Sequence, residues 1–284
     1  MDSSELVSVV ITTYNRSDAL LAVLLGLSQQ TDRHFEVIVA DDGSREAHRR
    51  AILDSSVAQS LKLVHVWHPD VGFTASRVRN RGVAAARGGY IIFLDGDCVP
   101  EVDFIAQHKA LAQPGYFING SRVLLSEALT GRVVAGLAQI CGRSWTYWVQ
   151  QRFAGHASKL TGLLRLSDRP GRVERAFSWK GIRSCNMAVW RSDFEKVDGF
   201  DESFVGWGHE DADFVLRLHN SGVFRKNGYC ATEVFHLWHK EAARNQESLN
   251  ARTVKARAKT DITQAALGYA QLRVNDDVVV TRLG

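Results

Sequence analysis

Residues 89–97 read GYIIFLDGD, and the fold turns on how they are read. An apolar run from Tyr90 to Leu94, bounded by glycine and then by two aspartates, predicts a buried strand that stops on Asp95 and Asp97. Three earlier stretches behave alike: LVSVVITTY at 6–14, FEVIVADDGS at 35–44 and LKLVHVW at 61–67. Between them lie helical patterns. Leu20, Leu21, Leu24, Leu25 and Leu27 share a broad apolar face, with Ser17 or Asp18 placed to cap it, and Thr74 to Arg87 suits a second helix. Strand, helix, strand, repeated, implies an α/β fold with a mostly parallel central sheet flanked by helices. In such sheets ligands sit beyond the carboxyl ends of the strands, where Thr12, Thr13, Asp41, Asp42, Asp95 and Asp97 all fall.

Past residue 120 the regularity fades. Residues 121 to about 178 hold many arginines, small residues and the aromatic group SWTYWVQQRF, read as helices and loops that shape a second binding surface. Patterning returns with the strand candidate IRSCNMAVW, the stretch FVGWGHEDADF at 204–214, then VFRKNG and ATEVFHLWH. From Glu241 to about Arg273 helical propensity is high and basic residues are many. The expectation is one catalytic domain with a helical tail.

Composition removes several classes of function. Across 284 residues, 35 Lys and Arg against 31 Asp and Glu leave a net charge of only +4, so no nucleic acid partner is expected from charge. Cys98, Cys141, Cys185 and Cys230 lie far apart without a C-x-x-C pair, the pattern of free thiols rather than a zinc or disulfide framework. The first residues show no basic-then-apolar leader, and no apolar run is long enough for a span. A cytoplasmic location is expected, peripheral at the inner face of a membrane if the tail docks there.

Each motif has a plain reading beside its chemical one. Asp95 and Asp97 at i and i+2 after a strand can be a polar turn, or can offer hard oxygens to Mg2+ or Mn2+, with Gly96 letting the backbone bend. VADDGS can be a simple turn, or can accept hydrogen bonds from a base or ribose. Arg77, Arg79 and Arg81 spread around a helix, so some should be solvated; Arg79, next to Asn80, is the candidate for a phosphate contact. His236 and His239, three apart on an extended segment, should point to opposite faces, and one of them, with His236 favoured, could join a metal site. Arg244, Arg252, Lys255, Arg257 and Lys259 read as a solvated helix face, or as a surface for anionic lipid.

Taken together, the blocks SVVITTYNRSDALLAVLLGLSQQTDRHFEVIVADDGS, VGFTASRVRNRGVAAARGGYIIFLDGDCVP and RSCNMAVWRSDFEKVDGFDESFVGWGHEDADFVLRL resemble the family-two glycosyltransferases. The last is similar to the C-terminal part of β-1,4-galactosyltransferases and bacterial chondroitin polymerases. The resemblance covers residues 6 to about 100 and 179 to about 240. It implies a GT-A fold, a nucleotide-sugar donor, a divalent metal and inversion at the anomeric carbon. On it, residues 1–240 form a single catalytic domain, with 1–120 the nucleotide-sugar half and 121–240 the acceptor half, and 241–284 a helical tail. It places Thr12, Tyr14 and Asp42 at the nucleoside, Asp95 at the ribose or metal and Asp97 on the metal. It also places Trp207 under the acceptor, Asp211 as general base and Glu210 beside it holding acceptor hydroxyls. His209 stands where relatives often carry a small residue, so acceptor specificity does not transfer.

The acids after the GWG turn then have a purpose beyond starting a helix. A sugar hydroxyl is a poor nucleophile and needs a carboxylate within hydrogen-bond reach. The departing nucleoside diphosphate gains negative charge that a metal and an arginine can offset. Gly206 and Gly208 let Trp207 lie against a sugar ring, and helix N-terminal donors should keep Asp211 ionised. The reading is transfer of a hexose or N-acetylhexosamine, from a UDP donor, to a sugar hydroxyl of a bacterial surface glycan, lipid-linked or free. Two alternatives stand beside it: a sugar nucleotidyltransferase, although TTYNRSD lacks the glycines of a triphosphate loop, and a non-catalytic glycan-binding protein.

Overall fold

The computed structural model describes residues 5–240, 247–271 and 278–284. The chain begins with β1 (Val7–Thr13), α1 (Ser17–Ser28), β2 (Phe35–Asp41), α2 (Glu46–Leu53), α3 (Ser56–Gln59), β3 (Leu63–Trp67), α4 (Ala75–Ala85) and β4 (Tyr90–Asp95). It continues through β5 (Cys98–Pro100), α5 (Phe104–Leu111), β6 (Tyr116–Asn119), β7 (Arg122–Leu124), α6 (Glu127–Val134), α7 (Trp145–Phe153), β8 (Val173–Glu174) and β9 (Asn186–Trp190). Then come α8 (Arg191–Lys196), α9 (Glu210–Asn220), β10 (Phe224–Asn227), β11 (Val234–His236), α10 (Glu247–Arg257) and β12 (Val279–Leu283).

Among the described residues the main sheet runs β12-β3-β2-β1-β4-β9-β6-β10-β8. The parallel arrangement read from the sequence holds for β3-β2-β1-β4. Beyond β4 the sheet is mixed, because β9 runs antiparallel to both β4 and β6. Side-chain alternation sorts the central strands onto two faces. Val7, Val9 and Ile11 with Tyr90, Ile92 and Leu94 pack under α1; Val10 with Ile91 and Phe93 packs with Val78 of α4, Phe194 of α8 and Phe214 of α9. Covered on both sides, these strands tolerate almost no polar residue until their ends. The same alternation turns Asp95 toward the layer that holds α4 and α9.

A small second sheet, β5-β11-β7, begins one residue after Asp97. In it β11 runs antiparallel to β5, with His236 opposite Cys98. Behind it Trp148 of α7 stacks on Phe235, with ring centroids 4.1 Å apart. This pair fixes the irregular middle of the chain to the strand that carries His236.

Two local expectations differ from what is found, and the need for glycine at 96 takes a specific form. Neither Ser17 nor Asp18 caps α1, because the N-cap position falls on Arg16, whose carbonyl accepts from Leu20 N. Ser17 Oγ instead sits 2.9 Å from His48 Nδ1, and Asp18 pairs with Arg16. Gly96 does not adopt the left-handed backbone. Its constraint is close approach: a Cβ there would lie 2.9 Å from the Thr12 carbonyl oxygen, which accepts from Gly96 N. Lastly, the tail is α-helical only at 247–257 among its described residues, with a short 3-10 turn at 269–271, and β12 closes the main sheet antiparallel to β3. The run Val279–Val280–Thr281 is β-branched, and an open β3 edge gave it a partner.

Trp148→Ala should cost about 3–5 kcal/mol in urea unfolding, since a fully buried stacked aromatic leaves a cavity behind it. A loss under 1 kcal/mol would mean that the middle segment is not anchored through Phe235.

Candidate active site

The acids after the GWG turn split between three duties. Gly206 and Gly208 have φ of 76° and 102°, so the turn that carries half-buried Trp207 needs glycine at both places. His209, the N-cap of α9, is also left-handed at φ 70°, and its side chain makes no capping bond. Glycine would sit there without that strain. Glu210, the first helical residue, does not cap either. It reaches sideways to Arg79, whose Nη1 donates to Glu210 Oε1 at 3.0 Å. Asp213 is structural: with no exposed surface, it accepts from Arg217 Nε at 2.8 Å and from Arg257 Nη1 at 2.7 Å. Asp211 lies between these, on the side that faces β9.

Asp211 Oδ2 accepts from Ser184 N at 3.4 Å, and the next residue's carbonyl, Cys185 O, accepts from Asp95 N at 3.4 Å. The segment before β9 thus holds Asp211 beside the end of β4. Arg79 makes the same connection through side chains. Only 4% exposed, it bonds Glu210 and places Nη2 3.5 Å from Asp95 Oδ1. Thr12, level with Asp95 in the β1–β4 register, donates from Oγ1 to Asp95 Oδ1 at 2.9 Å. Residues 12, 79, 95, 210 and 211, distant in the chain, form one cluster.

The electrostatics of this cluster are uneven. Burial pushes the Asp211 carboxyl up to about 7, the neighbouring Glu210 charge adds to the rise, and Arg79 only partly opposes it. The helix N-terminus therefore does not keep Asp211 fully ionised at neutral pH, contrary to the sequence expectation. Burial would lower Arg79, but the Glu210 and Asp95 carboxylates outweigh it and hold the guanidinium charged. Glu210 Oε2 is buried and has no hydrogen-bond partner among the described residues. Arg79 and Arg81 are both buried and Arg77 is half-buried, so fewer of these arginines reach solvent than the usual fate of arginine suggests.

A second cluster lies at Asp97. His239 Nε2 is 3.3 Å from Asp97 Oδ2 and His236 Nε2 is 3.7 Å from Asp97 Oδ1. The two rings were expected on opposite faces. Instead the chain leaves the strand after His236, and the ring centroids are 5.2 Å apart. One donor atom each from Asp97, Cys98 and His236 lies within 4.8 Å of the others, a grouping that could hold a metal ion. Burial raises Asp97 to about 6, helped by Asp95 and opposed by His239. Burial, with Arg122 and His239, lowers His236 to about 4, which leaves its imidazole neutral and able to ligate. Burial also pushes the Cys98 thiol well above its usual range, so oxygen and imidazole are the donors on offer.

The nucleoside-side candidates form a third group. Asp42 Oδ2 accepts from Thr74 N at 2.9 Å, and His68 Nε2 lies 3.2 Å from Asp42 Oδ1. Tyr14 donates its hydroxyl to Asp70 Oδ2 at 2.7 Å. Asp41 turns inward, accepting from Ser44 N at 2.8 Å with His65 Nε2 at 3.0 Å. His68, Asp70 and Thr74 were missed in the sequence. The signal was there, because WHPD follows the third strand just as the acids follow the others. The 70–74 loop also meets the glycine turn around Trp207, where Gly206 N donates to Phe73 O at 3.4 Å.

The tail contributes more than a basic surface. Arg244 lies outside the described residues. Arg252, Lys255 and Lys259 are exposed on or just after α10. Arg257 is instead drawn inward onto Asp201 at 2.8 Å and Asp213 at 2.7 Å. Asn250 Nδ2 donates to Gly208 O at 3.0 Å, so α10 holds the Trp207 turn from behind.

Comparison with known proteins agrees with this geometry. The model of glycosyl transferase family 2 matches residues 8–196, and that described as the N-terminal domain of galactosyltransferase matches residues 171–240. The chain belongs to glycosyltransferase family 2 and is a glycosyltransferase of GT-A fold. It is 30% identical over 240 residues to a chondroitin synthase of Escherichia coli, covering 76% of this chain and 32% of that protein. It is 32% identical over 243 residues to a hyaluronan synthase of Pasteurella multocida, covering 77% and 23%. A validoxylamine A glucosyltransferase of Streptomyces hygroscopicus subsp. limoneus is 30% identical over 240 residues, covering 77% and 49%. The chain thus spans between 23% and 49% of the length of these relatives. Among solved structures, a mannosyltransferase from Pyrobaculum calidifontis in complex with GDP-Man and Mn2+ superposes with a TM-score of 0.53 at 17% identity, covering 89% of this chain and 61% of that one. TarS from S. aureus superposes at 0.60 and 14%, covering 93% and 41%. Family membership leaves the nucleotidyltransferase and non-catalytic readings without support.

Arg257→Ala should destabilise the protein by about 3 kcal/mol in denaturant melts, since Asp201 and Asp213 would stay buried with less opposing charge. An unchanged midpoint would make α10 a loosely attached tail.

Proposed function

We propose that the chain moves a hexose or N-acetylhexosamine from a UDP-sugar onto a sugar hydroxyl of a bacterial surface glycan, with inversion and with a divalent cation. The observation that carries the mechanism is Asp211, a carboxylate poised near 7 and fastened beside the end of β4. A general base works best with a pKa close to the working pH. Beside it, the buried and unpartnered Glu210 Oε2 supports a second role, since an acceptor hydroxyl would satisfy it. Relatives whose names specify chondroitin and hyaluronan synthesis support a glycan acceptor.

In this reading Trp207 offers a flat face to the acceptor ring and Glu210 holds a hydroxyl. Asp211 takes the proton of the attacking hydroxyl as its oxygen bonds to the anomeric carbon, and the bond from that carbon to the nucleoside diphosphate breaks. Thr12, Tyr14 and Asp42 line the nucleoside side. Arg79 holds Glu210 and Asp95 in place, and supplies positive charge near the diphosphate. Asp97, Asp95, His236 and His239 fit a cation that takes both oxygen and imidazole, a set that suits Mn2+ better than Mg2+. When bound, such an ion offsets charge on the leaving diphosphate.

Asp211→Asn should lower turnover by about 100-fold or more while UDP-sugar affinity in calorimetry changes little. In the parent enzyme kcat should rise as pH increases through about 7, because the carboxyl must lose its proton before it can accept one. Transfer preserved in the variant would end the assignment.

Chelation gives an independent check. EDTA should abolish transfer and weaken UDP binding, and Mn2+ should restore both. His239→Ala and Asp97→Asn should each raise the Mn2+ concentration needed. Full activity in chelator would take the metal role from Asp97 and the histidines.

A further inference from the structure

The 40 residues from 128 to 167 contain no Asp or Glu but five cations: Arg132, Arg143, Arg152, Lys159 and Arg165. In a chain whose charges otherwise nearly balance, such a segment has one sign of field. Two of the cations are used internally. Lys159 donates to Ser121 Oγ at 2.5 Å, and Arg165 pairs with Asp103 at 2.6 Å. Arg132, Arg143 and Arg152 are exposed, and among the described residues none pairs with a carboxylate.

The same segment exposes large apolar side chains. Leu137, just after α6, is 74% exposed, Trp145 is 50% and Phe153 is 87%. Helical spacing puts Trp145, Val149, Arg152 and Phe153 on one side of α7. The helix is no loose flap, because its buried Trp148 is stacked on Phe235. Arg143 covers Tyr147 at 5.5 Å and bonds Gln139 O at 2.9 Å, tying the α6–α7 connection to the helix. The patch also adjoins the active site. Trp238 N, between the two histidines, donates to Thr130 Oγ1 of α6 at 2.8 Å.

We propose that the α6–α7 face docks on an anionic lipid bilayer, with Leu137, Trp145 and Phe153 at headgroup depth and Arg132, Arg143 and Arg152 among the lipid phosphates. Exposed aromatics beside arginines suit the interface, where rings bury their bodies and guanidinium groups stay wet. Charge decides the occupant. A leaflet rich in anionic lipid attracts this face. A symmetric second copy would bring the same three arginines against themselves. The basic tail is the weaker candidate: α10 exposes a single large apolar residue, Leu249, and Arg257 is turned inward. Docking through α6–α7 would set the Asp97 and histidine side of the site next to the membrane surface. Docking of this face requires no step of the transfer reaction, so its test stands apart from the proposed function.

Flotation with vesicles tests it. The protein should float with equimolar phosphatidylglycerol and phosphatidylcholine and stay behind with phosphatidylcholine alone. Replacing Leu137, Trp145 and Phe153 together by Ser should abolish flotation without shifting the thermal midpoint. Arg143→Ser and Arg152→Ser should each weaken partitioning about fivefold. Lys255→Ser with Lys259→Ser should change it little. No flotation, flotation that ignores the apolar triple variant, or loss only in the tail variant would each overturn the proposal. So would self-association, seen by light scattering, that the triple variant abolishes while the parent binds no lipid.

Discussion

One buried guanidinium joins the two halves of this enzyme. Arg79 comes from the helix before β4, Asp95 ends β4, and Glu210 opens a helix well over a hundred residues later. Each carboxylate would be costly to bury alone, and the arginine would be too. Together they are tolerable, and the requirement fixes where α9 begins relative to the sheet. Asp211 inherits its place from that constraint. Being next to Glu210, it is both fastened near β4 and exposed to a like charge, which with burial moves its carboxyl toward 7.

Other contacts act as supports for this centre. Arg257 and Arg217 share Asp213, so the first turn of α9 is held from the outer side while Arg79 holds it from the inner. Asn250 fastens the glycine turn that presents Trp207. On the other flank, the antiparallel pairing of β11 with β5 brings His236 to the residue after Asp97. The departure of the chain from that strand then lets His239 return to the same carboxylate. Base and metal candidates thus rest on separate supports, one of helices and one of a small sheet.

The two clusters also differ in how they hold charge. Around Arg79 the opposing charges are near and partly balanced. Around Asp97 the imidazoles are the neighbours, and burial keeps His236 neutral. Burial, with the Asp95 charge adding to it and His239 only partly opposing, raises the Asp97 carboxyl to about 6. A site short of positive charge is suited to receive a cation.

The strands of the first hundred residues were legible in the sequence because each is buried on both faces, so its apolar run is continuous and its end is marked by acids. From strand order alone, Thr12, Asp42, Asp95 and Asp97 could be assigned to one edge. WHPD obeyed the same rule and was passed over, since histidine after a strand reads less plainly than aspartate. Local pattern did not reveal which acids work and which merely hold. Glu210, Asp211 and Asp213 differ little as residues, and their separate duties arise from partners at positions 79, 184 and 257. The burial of Arg79 and the inward turn of Arg257 escaped it for the same reason, because an arginine is solvated or buried according to what the rest of the chain brings to it. Sequence by itself determined the parallel strands β1 to β4, their polar edge and the family. The tertiary structure decided the protonation of Asp211, the convergence of both histidines on Asp97 and the role of the tail, because each depends on charges that only folding brings together.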